Sequence, residues 1–267
     1  MNADLEDVNA STEYIQYSES STGDISTKAL NKAEVDGVIS SLANTSSNGS
    51  TVEINSSAKT SNSVLKKTML ATNVKINGKK KTSCTYVCSW LKSPSQRMID
   101  VASIGWGSNQ GSFDSTSSFY ANYSCIDTIT YYKKKSNSND YKKYTETESY
   151  EYNITSSMRK DASENGLYCK SKLKADENDS AGSTTYYHSY NNHTFTMGFY
   201  LTNVSNISHT YFRGVYSHQK KKSSFKIDSI SVNFGITGVP SISISGGYKK
   251  ETYYSDIGDV LLLNHVY

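Results

Sequence analysis

From about residue 51 to the C-terminus, apolar and polar residues alternate with a period of two, the spacing of a β-strand with one buried face. The most regular stretch is SISVNFGITGVPSISISGG, residues 229–247. Ile230, Val232, Phe234 and Ile236, then Ile242 and Ile244, fall on even numbers, and most odd positions hold Ser, Thr, Asn or Gly. Pro240 cannot donate to a central ladder. The pattern therefore predicts strands over 229–236 and 241–245 with a turn around TGVP. STVEINSSA, LKKTMLATNVKIN and KKKTSCTYVCSWLK alternate in the same way, and Asn77-Gly78 between the last two is a hairpin signal. SSFYANYSCIDTITYYKKK and DYKKYTETESYEYNIT read as two long strands joined by SNSN, with Tyr and Thr on one side and charge on the other.

One segment breaks this period. Leu30, Val35, Val38, Ile39 and Leu42 recur at helical spacing behind a Ser26/Thr27 cap. The expected organisation is a flexible N-terminal arm over 1–27, a helix and linker over 28–50, and an antiparallel β domain over 51–267. The fold class is mainly β: an antiparallel β-sandwich or elongated sheet with one short N-terminal helix.

Composition supports a sheet. The chain has 22 Tyr and only 2 Pro. Tyr buries a large ring while its hydroxyl stays wet, which suits half-exposed strands. The net charge of +3 argues against a nucleic-acid partner. Basic clusters at Lys79–Lys81, Lys133–Lys135 and Lys220–Lys222 sit beside turn-like residues and read as solvated strand ends, with anionic lipid or polysaccharide as the sharper alternative. No run of about 18 apolar residues occurs. Met1 is followed directly by the polar NADLEDVNAS, without a signal peptide, which reads as a mature secreted chain and an extracellular location.

The four cysteines are Cys84, Cys88, Cys125 and Cys169. On one strand Cys84 and Cys88 would stand about 13 Å apart, too far to bridge each other. The even count and the apparent secretion favour two disulfides, with Cys125 and Cys169 as the partners of Cys84 and Cys88; buried reduced thiols are the alternative. Three connectivities are possible for four cysteines. No C-x-x-C pair supports zinc.

The segments SWLKSPSQRMIDVASIGWGSN (89–109), RGVYSHQKKK and SISVNFGITGVPSISIS resemble stretches of short secreted β-rich proteins from spore-forming Gram-positive bacteria, largely uncharacterised. The resemblance covers about a third of the chain. It implies a compartment and a β fold, and it carries no catalytic motif.

The chain lacks a G-x-S-x-G elbow, an H-E-x-x-H pair, a Walker loop and an EF-hand loop. In YYHSYNNHTF, His188 and His193 are five apart and are expected on opposite strand faces. Asp100, Asp114 and Asp127 are available acids that nothing in the sequence singles out. The reading is a protein without catalytic activity, metal or cofactor. Tyr131, Tyr132, Tyr186, Tyr187 and Trp106 are candidate ligand-contact aromatics, since rings give contact area at low entropy cost. For Trp106 core packing competes with sugar stacking.

These features describe a secreted or cell-surface β-sandwich that binds a glycan, a host surface or a sister subunit. The alternative is a β pore-forming toxin. In that reading Ile230, Val232, Phe234, Ile236, Ile242 and Ile244 form a membrane face rather than a core or partner strand.

Overall fold

Asn77 and Gly78 adopt φ of 50° and 76°, the backbone of a two-residue hairpin turn that Asn and Gly reach at least cost. In a computed structural model of the chain they join β3 (Ser61–Ile76) to β4 (Lys79–Lys92). The structure describes residues 3–19, 25–47, 61–95, 97–115, 119–136, 139–160, 165–219, 226–234, 240–247, 253–255 and 259–264.

The larger sheet runs in the order β2 (Ile25–Leu30), β1 (Ala3–Glu19), β3, β4, β12 (Thr184–Thr202), β7 (Tyr120–Lys134), β8 (Tyr141–Asn153). Two short strands, β6 (Ser112–Phe113) and β11 (Glu177–Ala181), also pair with β12. The smaller sheet is ordered β16 (Tyr253–Ser255), β13 (His209–Gln219), β5 (Ile99–Trp106), β10 (Gly166–Lys172), β9 (Arg159–Lys160), with β17 (Asp259–Asn264) beside β13. The ladders are antiparallel. One core lies between the sheets. Tyr86 and Trp90 of β4 and Phe195 and Phe199 of β12 meet Ile104 and Trp106 of β5 and Phe212 and Tyr216 of β13. The architecture is the expected antiparallel sandwich.

The N-terminal segment is not a flexible arm. β1 pairs along β3 from Ala3↔Ile76 to Glu19↔Ser61, and β2 folds back onto it. Ile15 and Tyr17 bury in the core and hold it there. The helix α1 (Lys32–Ser47) starts later than Ser26/Thr27. Its cap is Asn31. The Asn31 Oδ1 accepts from the Glu34 N–H at 3.0 Å, and the Glu34 carboxylate accepts from the Asn31 N–H at 2.9 Å, a reciprocal capping box. Leu30 and Val35 pack with Val64 in a separate cluster, while the next residue, Leu65, points to the main core.

The four cysteines are free thiols, each buried, and the expected disulfides are absent. The topology explains why. β12 lies between β4, which carries Cys84 and Cys88, and β7, which carries Cys125. Strands two places apart are separated by about 9.5 Å, beyond the 7 Å or so that a disulfide spans. Cys169 sits on β10 in the opposite sheet, opposite Ala102. Burial raises the thiol pKa of Cys84, and pushes that of Cys169 up to about 12.

The stretch 226–247 forms its own two-stranded sheet, β14 (Lys226–Phe234) and β15 (Pro240–Gly247). Ile230 pairs with Ile244 and Val232 with Ile242. Pro240 opens β15 opposite Phe234, so β15 is eight residues long and extends beyond the expected 241–245 at both ends. Ile236 lies outside the described residues. The hairpin's backbone runs close to β5, β13 and β10. Val101, Ser103, Val215 and Ser217, which point away from the main core, are buried there.

One carboxylate joins the two layers. Asp100 is fully buried at the start of β5. Its Oδ2 accepts from the Trp90 indole of β4 at 3.2 Å and from the Tyr216 hydroxyl at 2.5 Å. Its Oδ1 lies 2.8 Å from the His218 Nδ1. Burial and the neighbouring Asp100 raise the Tyr216 pKa, so its hydroxyl remains a donor. An uncompensated buried carboxylate would be severely destabilising, whereas this one is satisfied on both oxygens. Replacing Asp100→Asn removes acceptor capacity from a buried network and is expected to cost about 2–4 kcal/mol in urea unfolding. An unchanged midpoint would show that the network does not join the sheets.

Candidate functional site

The larger sheet extends past the smaller one at its β7–β8 edge. Odd-numbered residues of β7 face inward, so the row Tyr123, Cys125, Asp127, Ile129, Tyr131 leaves the shared core and continues beside β8 and β12. Register supplies its neighbours. Tyr131 stands opposite Tyr144 and Tyr186, Asp127 opposite Glu148 and Tyr190, and Tyr123 opposite Tyr152 and Phe195. The result is an aromatic row about 27 Å long, eight steps of the strand rise from Tyr123 to Tyr131.

The rings touch in two groups. Tyr131 stacks on Tyr144 at 5.3 Å and meets Tyr186 at 5.1 Å. The Lys133 ammonium lies 5.0 Å from the Tyr131 ring and 5.5 Å from the Tyr144 ring, a cation–π arrangement. The Tyr131 hydroxyl donates to Glu146 at 2.6 Å, and that bond pushes its pKa up to about 12. Farther along, His188 stacks on Tyr190, Tyr150 stacks on Tyr152, and Tyr152 stacks on Tyr123.

A cavity of about 520 Å³ opens where this row meets the segment following β10. Tyr123 and Tyr152 form one wall, and residues 171–177 form the other. The Lys174 ammonium lies 4.2 Å from the Tyr190 ring and 3.6 Å from the Glu177 carboxylate. Arg97 fixes this wall. Its Nη1 donates to the carbonyls of Tyr190 at 2.6 Å and Lys174 at 3.1 Å and to Asp176 at 3.2 Å. Aromatic walls with a few placed charges are the lining of a small-molecule site.

A β-bulge sets the geometry. The β12–β7 register shifts between Asn191 and Thr194, and Asn192 takes a left-handed φ of 53°. The extra residue changes the phase of the strand. His188 and His193, expected on opposite faces, therefore both point inward. They differ in environment. The His188 Nδ1 lies 2.7 Å from Asp127 Oδ2, and that hydrogen bond raises its pKa against the opposing effect of burial. His193 is fully buried, with Nδ1 2.8 Å from the Tyr123 hydroxyl and Nε2 3.2 Å from Arg97 Nη1. Burial, then the Arg97 charge, lowers its pKa to about 4. Burial and the adjacent guanidinium both favour the neutral ring.

The structure brings Tyr131, Tyr132, Tyr186 and Tyr187 together, on two faces of the same strand pair. Tyr131 and Tyr186 line the inward row, while Tyr132 and Tyr187 meet edge-on at 6.5 Å and are exposed. Trp106 is not a ligand contact. It is fully buried, donates to the Gly111 carbonyl at 3.1 Å and packs on Phe199. Lys174, Arg97, Asp176 and Glu177 carried no sequence signal, because their segment has no periodicity. Asn191-Asn192 inside a strand pattern was the available hint of a bulge, since Asn tolerates φ above zero. Among the described residues, no group of three or more His, Cys, Asp or Glu is placed to hold a metal.

No protein-family model matches the chain. No curated protein sequence matches it. Among solved structures, Clostridium perfringens delta-toxin is 11% identical over 74% of this chain and 83% of its own, with a TM-score of 0.27. That score does not establish a shared fold.

Neutral His193 gives the site a pH dependence. In the unfolded chain the imidazole takes up a proton below about pH 6.5, whereas the folded form resists until about 4. Stability is therefore lost as pH falls from 6.5 toward 4, by about 3 kcal/mol at most for this group. Urea unfolding across that range should show a smaller loss in His193→Gln than in the wild type. Equal losses would mean that His193 titrates normally.

Proposed function

We propose that the protein is a secreted β-sandwich that binds a cell-surface glycan through its aromatic cleft and inserts the hairpin 226–247 into the membrane as a β pore-forming element. The observation that carries this reading is the isolation of the hairpin. Among the described residues β14 and β15 pair only with each other, although they lie along the smaller sheet. Residues 229–248 contain no Asp, Glu, Lys or Arg. Their alternation matches the apolar-out, polar-in pattern of membrane strands. The charge-free parts of the two strands, 229–234 and 240–247, are six and eight residues long, short of the roughly 9–11 that a tilted strand needs to span a bilayer, so the turn between them has to contribute to the span. Lys220–Lys222, Lys226 and Lys249–Lys250 flank the open end of the hairpin in sequence, which suits anionic headgroups. Two strands cannot close a barrel, so insertion requires several copies of the chain.

The cleft supplies the recognition part. The exposed part of Tyr152 offers apolar contact to the C–H groups of a sugar, and Lys174, Asp176 and Glu177 offer hydrogen bonds to its hydroxyls. A role without catalysis is supported by the place of Asp100 and His218, which have the pairing of an acid–base dyad but lie sealed in the core.

A second reading, surface binding without insertion, is favoured by the buried outer face of the smaller sheet. Departure of the hairpin would expose Val101 and Val215 to water.

A probe scan separates the two. Ser241→Cys, Ile242→Cys, Ser243→Cys and Ile244→Cys are labelled in the folded protein with an environment-sensitive dye, where the four native thiols are buried. On liposomes, dye release, a discrete large oligomer and blue shifts at 242 and 244 but not at 241 and 243 are expected. Intact liposomes and no alternating shift would leave the binder reading alone.

A further inference from the structure

β8 ends the larger sheet, and among the described residues it pairs only with β7. Along Tyr141–Asn153 its other side leaves N–H and C=O groups without a ladder partner, a template for a further strand. The strand is exposed except at Tyr144 and Tyr150, which are half-buried. Lysines and inward-pointing charges ordinarily guard such an edge. Here their order along the strand blocks some pairings and fits one.

A two-fold axis normal to the sheet sets β8 antiparallel to its copy and keeps inward residues opposite inward ones, so the axis passes through a residue. Even-numbered residues of β8 face inward, since Tyr144 stands opposite Tyr131 and Glu148 opposite Asp127. An axis at Glu146 or Glu148 sets that glutamate against itself, and one at Thr147 sets Glu146 against Glu148. Like charges at directly opposed positions destabilise an antiparallel pair. An axis at Ser149 gathers Glu146, Glu148 and Glu151 of both copies without a lysine. An axis at Thr145 pairs residues 141–149 without a like-charge contact and sets Lys142 against Glu148 twice, whereas an axis nearer the start of β8 pairs a shorter stretch. Both members of that pair gain from it. Lys142 stands directly across from Lys133 in the β7–β8 ladder. Glu148 accepts from the Tyr150 hydroxyl through Oε2 at 2.9 Å, which leaves Oε1 for an ammonium group.

We propose that β8 is the interface of a two-fold dimer, in which two copies of this chain join their larger sheets edge to edge about Thr145. The interface is isologous and closed, because each β8 edge covers the other. Backbone hydrogen bonds supply the adhesion, as in strand addition, and the Lys142–Glu148 pairs select the register. The dimer rests neither on the glycan cleft nor on membrane insertion. Tyr152, which lines the cleft, lies outside 141–149, and the hairpin 226–247 shares no ladder with β8.

Sedimentation equilibrium over a concentration series, at low salt and without lipid or sugar, tests the interface. The wild type is expected to dimerise reversibly. Lys142→Glu opposes carboxylates at both pairs and Glu148→Lys opposes ammonium groups, so each variant is expected to dimerise about tenfold more weakly or worse. Mixing the two variants restores opposite charges at both pairs. A mixed dimer of near wild-type affinity is expected, and it also shows that both variants are folded. Lys143→Glu is the control: its side chain meets Thr147 in this register and would meet Glu151 if the axis lay at Thr147, so little change is expected. A wild type that stays monomeric at every concentration overturns the proposal. So does a dimer that the two variants leave intact, that mixing fails to restore, or that Lys143→Glu weakens as much as Lys142→Glu.

Discussion

A single buried carboxylate fixes how the two layers of this protein meet. Asp100 takes donors from the larger sheet through Trp90 and from the smaller through Tyr216 and His218. A fully buried carboxyl group tolerates few arrangements, because each oxygen must keep its partners. Edge-on contacts of Trp90 with Tyr17, Tyr216 and His218 surround it with rings at centroid distances of 5.1, 5.7 and 5.4 Å. The connection that delivers Asp100 from β4 to β5 also carries Arg97. Arg97 braces residues 174–176 against the β12 bulge. The core clamp and the wall of the cleft therefore depend on the same short crossover.

Much of this fold was legible in the alternation of residues. The β3–β4 hairpin follows from Asn77-Gly78, and the β7–β8 pair from two long runs around SNSN, because strand period and turn chemistry are local properties. The convergence of Tyr131 and Tyr186 was also within reach, since aromatic positions on neighbouring strands meet when the phase is right. Other features are decided at long range. β1 reads as a polar arm because, among its residues with described side chains, Ile15 and Tyr17 are the apolar ones that bury, and the strand is held by pairing with β3. The cysteines suggested bridges by number alone. Their separation is set by β12, which is more than fifty residues away from β7 in sequence and inserts between β7 and β4. The bulge at Asn192 inverted the expected relation of His188 and His193, because one added residue changes the face of every later side chain.

Among the described residues, the molecule divides into a sandwich of two sheets and a hairpin that forms a ladder of its own. The sandwich core is tied by Asp100, by Arg97 and by the His193–Tyr123 bond. The hairpin 226–247 contributes its own ladder and lies against the outer face of the smaller sheet without joining it. Proteins open in separate cooperative units, and an element that, among the described residues, shares no ladder with its support is where the account expects such a unit. A separate opening of the hairpin underlies the proposed membrane role, since insertion needs the hairpin to leave while the sandwich stays folded.

Native-state hydrogen exchange resolved by residue measures that difference directly. The account predicts that the ladder amides of 226–234 and 240–247 exchange together through an opening of lower free energy than the amides of β4, β5 and β12, which exchange only on global unfolding. A common exchange free energy for the hairpin and the sandwich would contradict it, because the hairpin would then be an inseparable part of the core.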